Sequence, residues 1–148
     1  MTGLAQAAQD ATKKIEGMVE DTEARETLVR MREEAEETES RCTELIDQRE
    51  GKKTAILEKA QETKTEAGEM MSAYLGDESD GLDGFEFLTM AEAGEVGHWE
   101  ILGKLNESAG EQPIADLVEW ALPIQEGHLQ QSRECSLKLA GEEDPYEE

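Results

Sequence analysis

Leu28–Leu45 reads LVRMREEAEETESRCTEL, and within it Leu28, Met31, Ala35, Thr38, Cys42 and Leu45 fall at alternating steps of three and four. A three-residue step would throw successive side chains onto opposite faces of a strand. At 3.6 residues per turn the same spacing keeps all six on one stripe, so the stretch is a helix with a heptad seam. The acidic run EEAEETE, Glu33–Glu39, falls largely between seam positions and is expected on the solvated side. Asp21 and Thr22 supply the side-chain oxygens that cap a helix start, which predicts a second helix over Thr22–Arg49 after a bend.

On the N-terminal side, Leu4, Ala8, Ala11, Ile15 and Met18 repeat at three and four, predicting a first helix over Gly3–Glu20 with a thin, alanine-rich stripe. On the C-terminal side the seam runs into Arg49 and Lys52 around Gly51, so a break is expected over Glu50–Lys53. Helical spacing resumes with Ile56, Leu57, Ala60, Ala67, Met70, Met71 and Tyr74. That stretch is too weakly apolar for an interior and is expected to cross over on the outside. GDESDGLDG, Gly76–Gly84, has the composition of a loop. A third helix over Phe85–Ala109 places Leu88, Ala91, Glu95, His98, Leu102 and Leu105 on one seam. A fourth over Gln112–Ala140 places Ile114, Leu117, Ala121, Ile124, His128 and Cys135 on another. Pro113 suits a first turn, whereas Pro123 falls inside the helix and is expected to kink it. The division is one helical domain over 1–141 and an acidic, mobile tail over 142–148.

With 148 residues the chain has room for one core, and 36% apolar residues make that core modest. Three prolines, 4% aromatics and 29 glutamates fit an all-α protein and not a sandwich or barrel. Thirty-seven acidic against 14 basic residues leave a formal charge of −23. Nucleic acid and anionic membranes both need clustered cations, so neither is an expected partner. The start MTGLAQAAQD has neither a cationic nor an apolar leader segment, and no stretch approaches a membrane span, so a soluble cytoplasmic protein is expected. The acidity reads in two ways, as halophilic adaptation to a salt-rich cytoplasm or as an ordinary solvated face. Cys42 and Cys135 lack CxxC spacing and read as small buried apolar residues.

The chain has two histidines, and the expected helical phase turns both inward. Glu95 and His98 form an ExxH pair one turn apart, the spacing with which facing helices of a bundle hold metal ions. The matching pair on the fourth helix is Gln125 and His128, where glutamine offers only a neutral carbonyl. Glu95, His98 and His128 are therefore the candidate ligands, for iron, manganese or zinc. Glu92, Glu100, Gln125 and Glu126 are candidates for orienting them or completing the shell. The other reading leaves the site without metal, the two histidines being hydrogen-bonded to Glu95 or to each other. Trp99 and Trp120 read as packing anchors. No phosphate-cradling glycine loop or GxSxG is present, and His128 and Cys135 lie two turns apart, too far for thiol activation.

Three stretches resemble the ferritin-like superfamily, and within it the stress-induced YciE/YciF-type proteins of bacteria. They are REEAEETESRCTELI at Arg32–Ile46, AGEVGHWEIL at Ala93–Leu102 and LVEWALPIQEGHLQQSRECSLKLA at Leu117–Ala140, which look like that branch's second, third and fourth helices. The resemblance implies a four-helix bundle with a long helical crossover between helices 2 and 3. It also implies self-association, as a homodimer, and a di-metal centre linked to stress or to iron and oxygen chemistry. His98 and Glu100 fit the family's third-helix pattern. Thr12 and Gln125 stand where glutamates are usual, Arg41 where a histidine is, and Gly97 where an acid is, while His128 adds a ligand type. The implied site is atypical, and any activity through it is peroxide or ferrous-iron oxidation by a metal-dependent oxidoreductase. The rival reading is a metal-free structural or interaction bundle whose acidic helices bind a basic or helical partner.

Overall fold

The computed structural model describes residues 1–49 and 51–147, and these form helices with no strand among them. In chain order they are α1 (Thr2–Glu16), α2 (Thr22–Asp47), α3 (Lys53–Tyr74), α4 (Gly81–Ala109) and α5 (Gln112–Glu142). Among the described residues no helix is long and apolar enough to cross a membrane.

Several boundaries differ from expectation for local reasons. α1 stops at Glu16, and Val19 lies buried in the connection. α2 opens as expected, with Asp21 accepting from the Ala24 amide at 2.8 Å. It closes at Asp47, and of the expected break at Glu50–Lys53, Glu50 lies outside the described residues. α4 begins at Gly81, inside the stretch expected to be loop, because Asp80 and Asp83 form a reciprocal capping box with both bonds at 3.0 Å. The glycines and aspartates of that stretch are thus partly a helix start. α5 is helical through Pro123, which lies on the exposed face where water can bond the carbonyl left without a donor. α5 also runs on through Glu142, so the expected tail begins one residue inside the helix, and Glu148 lies outside the described residues.

α1 packs on α2, α4 on α5, α2 on α5 and α1 on α4, so these four close a ring. α3 lies outside it against α1 and α2 and buries none of its residues, as its thin apolar pattern predicts. Gly3 lets α1 approach α3 closely, since a Cβ there would meet the Ala60 carbonyl. The α4–α5 turn is tight. Gly110 takes φ 66°, and the buried Asn106 side chain bonds both the amide and the carbonyl of Glu111, at 3.2 and 2.9 Å.

The interior of the ring holds two apolar clusters. Ile15, Leu28, Met31, Phe85 and Leu88 anchor one, and Cys42, Trp99 and Ala121 the other. The α2 seam is buried from Leu28 to Cys42 as expected, with Ile46 replacing Leu45 at its end. On α4 the buried line is Phe85, Leu88, Glu92, Glu95, Trp99 and Asn106, and His98 and Leu105 are exposed. Both candidate lines contain Leu88 and Glu95, and the one that hides Phe85 and Trp99 removes far more apolar area from water.

Candidate functional site

Between the two apolar clusters the α4 and α5 walls of the ring turn polar. α4 passes from Leu88 through Glu92 and Glu95 to Trp99. α5 passes from Ala121 through Gln125, His128 and Ser132. Ala35 and Thr38 of α2 and Thr12 of α1 are small residues that are buried as well. The threonines satisfy themselves locally. Thr38 Oγ1 donates to the Glu34 carbonyl at 2.9 Å, and Thr12 Oγ1 lies 2.8 Å from the Ala8 carbonyl. They therefore do not compete for the carboxylates.

Those carboxylates are unusually enclosed, with Glu92 2% and Glu95 8% exposed. Gln125 Nε2 donates to Glu92 Oε2 across the α4–α5 interface. Burial, reinforced by the neighbouring Glu95 charge, holds the Glu92 carboxyl well above the usual carboxylate range. Burial also pushes Glu95 up to about 7, against the opposing hydrogen bond with Glu92. At neutral pH the two carboxyls thus behave as a pair that retains a proton.

His128 is 3% exposed, and its ring lies between two acids. Nδ1 is 3.9 Å from Glu92 Oε2, and Nε2 is 3.6 Å from Glu34 Oε2. Neither approach is a hydrogen bond. Burial, with a smaller push from Arg30, lowers the imidazole to about 4, so at pH 7 the ring is neutral and these contacts are not ion pairs. His128 Nε2 is left buried with no hydrogen-bond partner. One turn further along α5, Gln131 Oε1 is buried and partnerless as well. Arg30 Nε lies 3.8 Å from Glu34 Oε1, which leaves Oε2 as the oxygen on the His128 side. Partial burial raises the Glu34 carboxyl above its ordinary value.

Of the residues singled out from sequence, Glu92, Glu95, Gln125 and His128 share this layer. His98 does not. It is exposed and its Nδ1 lies 2.7 Å from the Gly94 carbonyl, because the α4 seam turns it outward in favour of Trp99. Glu100 and Glu126 are exposed on outer faces. Glu34 joins the layer although it sits in the run expected to be solvated. Its position between Met31 and Ala35 was the available signal, since it borders the seam. Among the described residues no three His, Cys, Asp or Glu side chains converge closely enough to hold one ion, so a metal here would draw on a donor of another kind. Arg41, placed where the resembled family has histidine, is exposed and stacks 4.0 Å over the half-buried Trp120 ring.

A cleft of about 480 Å³ between α1, α3 and α4 leads to Glu92 and Glu95 from the side opposite α5. His98 stands at its lip, and Lys64 of α3 faces Asp10 of α1 at 3.7 Å across its mouth. No protein-family model matches the chain, and neither a curated protein nor a solved structure matches it.

Proposed function

We propose that the chain is a ferritin-like four-helix bundle, built from α1, α2, α4 and α5 with α3 as the outer crossover, that binds one divalent transition-metal ion between α2 and α5. The observation that carries this reading is the buried, partnerless Nε2 of a neutral His128 facing Glu34 Oε2 at 3.6 Å. A buried polar atom without a partner costs about 1–3 kcal/mol, and a histidine serving only as filler would be bonded.

The donors fit such an ion. Two ligands that each sit about 2.0–2.2 Å from one metal lie about 3–3.5 Å apart, close to the separation of His128 Nε2 and Glu34 Oε2. Gln131 Oε1, on the same face of α5, is the third donor, an oxygen that no other group engages. An imidazole, a carboxylate and an amide oxygen suit manganese, iron or zinc. Arg30 stands beside the far oxygen of Glu34, and Glu92, anchored by Gln125, stands 3.9 Å from the other ring nitrogen of His128, on the side from which an acid would orient a ligating imidazole once hydrogen-bonded to it. Iron or manganese bound here would supply redox chemistry of the peroxide or ferrous-iron class.

The test is elemental analysis of untagged protein exposed to Mn(II), Fe(II) or Zn(II) and freed of unbound ion. About one ion per chain is expected, lost in His128→Ala and reduced in Glu34→Gln, and retained in His98→Ala. Equal metal content in His128→Ala would overturn the assignment. Protein that takes up no ion would make the bundle a structural or interaction module.

A further inference from the structure

The cleft between α1, α3 and α4 follows from small residues on two helices. α1 presents Ala7, Ala8 and Ala11 to it, and α3 presents Ala67 and Gly68, so the helices meet at Gly3 and leave space further along. Leu4, Met71, Phe87, Leu88 and Met90 make the remaining wall apolar. At about 480 Å³ the space lies within the range of small-molecule sites.

Its charge is one-sided. At the mouth Asp10 is matched by Lys64. At the inner end stand Glu92 and Glu95, both more than nine-tenths buried, with no lysine or arginine among the residues that line that end. Gln125 satisfies one oxygen of Glu92. Carboxyls buried at the closed end of an apolar cleft have little water to solvate them, and a cation that brings its own N–H donors is the group that satisfies them there.

We infer that the cleft is a binding site for a small amphipathic amine, with its alkyl body along Met71, Phe87 and Met90 and its ammonium group on Glu95 and Glu92. The apolar walls reward a hydrocarbon chain, and the inner carboxyls reject a fatty acid, whose head would face like charge. This inference goes beyond the metal reading and does not depend on it, because Glu34 and His128 Nε2 lie on the α2–α5 side of the layer.

Isothermal titration of the full chain with octylamine, octanol and octanoate at pH 7.5 tests it. One octylamine per chain is expected, with octanol and octanoate bound at least tenfold more weakly. Glu95→Gln keeps the shape and should weaken octylamine at least tenfold. Gly68→Leu should abolish uptake by filling the cleft, since a Cβ at Gly68 meets nothing within 4 Å. Glu34→Gln, which touches neither carboxyl of the cleft, should leave amine binding unchanged while reducing metal, so the two readings fail separately. Methyl resonances of Met71 and Met90 should shift with octylamine, a readout that needs no variant. Octanol binding as tightly as octylamine, or octylamine indifferent to Glu95→Gln, would overturn the inference. So would a dimer that Gly68→Leu dissociates and that takes up no amine, because a second copy would then be the occupant.

Discussion

Gln125 of α5 donates its side-chain amide to Glu92 of α4, joining two helices through a bond between two buried polar groups. The bond lies between the two apolar clusters, and both partners are more than nine-tenths buried, so little water is at hand to replace it. Gln125→Leu should therefore lower stability by about 1–3 kcal/mol, read as a lower denaturation midpoint at constant slope. Adding Glu92→Leu should recover part of the loss, because both members of the broken pair are then apolar. Additive destabilisation by the two changes would show that the bond is not what holds Glu92.

The buried acids and His128 set opposite pH dependences. Glu95 goes from an ordinary value of 4.5 up to about 7 on folding, so its stabilising contribution is full below pH 4.5 and is lost as pH rises through 7. Glu92 is shifted in the same direction. His128 goes from 6.5 down to about 4, so its contribution is present above 6.5 and is lost as pH falls through 4. Between about pH 4.5 and 6.5 the two oppose each other. Above 6.5 only the carboxyls act, and the metal-free chain should lose stability up to about pH 8, by a few kcal/mol at most. Glu95→Gln should flatten that decline. Stability rising over this interval in urea titrations would contradict the burial argument.

Trp99 and Trp120 should separate in both fluorescence and energy. Trp99 is 1% exposed and anchors the second apolar cluster, so Trp99→Ala should cost about 3–5 kcal/mol and remove the blue-shifted emission. Arg41→Ala takes the guanidinium off the Trp120 ring, changes only the red-shifted component and costs about 0.5–1 kcal/mol. A blue-shifted signal surviving in Trp99→Ala would place the buried indole wrongly.

A formal charge of −23 on one small domain makes self-repulsion a large destabilising contribution at low ionic strength. Melting temperature should rise as sodium chloride is raised from about 0.05 to 1 M, where the screening length falls to about 3 Å. Potassium chloride at equal concentration should act equally, since the effect is screening. A melting temperature independent of salt would mean that the ion pairs at the surface already neutralise the repulsion.

The helical class and most of α2 were legible because Leu28–Cys42 offers a single apolar stripe against charged neighbours, leaving one way to bury it. α4 offered two lines one residue apart, and periodicity alone could not choose between hiding His98 and hiding Trp99. The early start of α4 was legible in principle, since Asp80 and Asp83 have capping-box spacing, but the glycines around them carry the opposite signal. At the site, phase placed His128, while Gln125 followed from its spacing to His128 and not from the expected seam, which ran through Ile124. Glu34 could not be placed, because a border position is buried or solvated according to the helix that faces it.

The sequence by itself determined that the chain is helical, acidic and poor in apolar area, because those properties follow from local spacing and composition. By the same periodicity it placed both histidines inside, which holds for His128, on a stripe with Ala121, and fails for His98, which the burial of Trp99 turns outward. Tertiary structure alone decided which acids meet His128, that its Nε2 has no partner, and that α3 stands off α4 to open a cleft on Glu92 and Glu95. Those are relations between helices far apart in the chain. They are set by which side chains fill the space between axes, and no single helix carries that information.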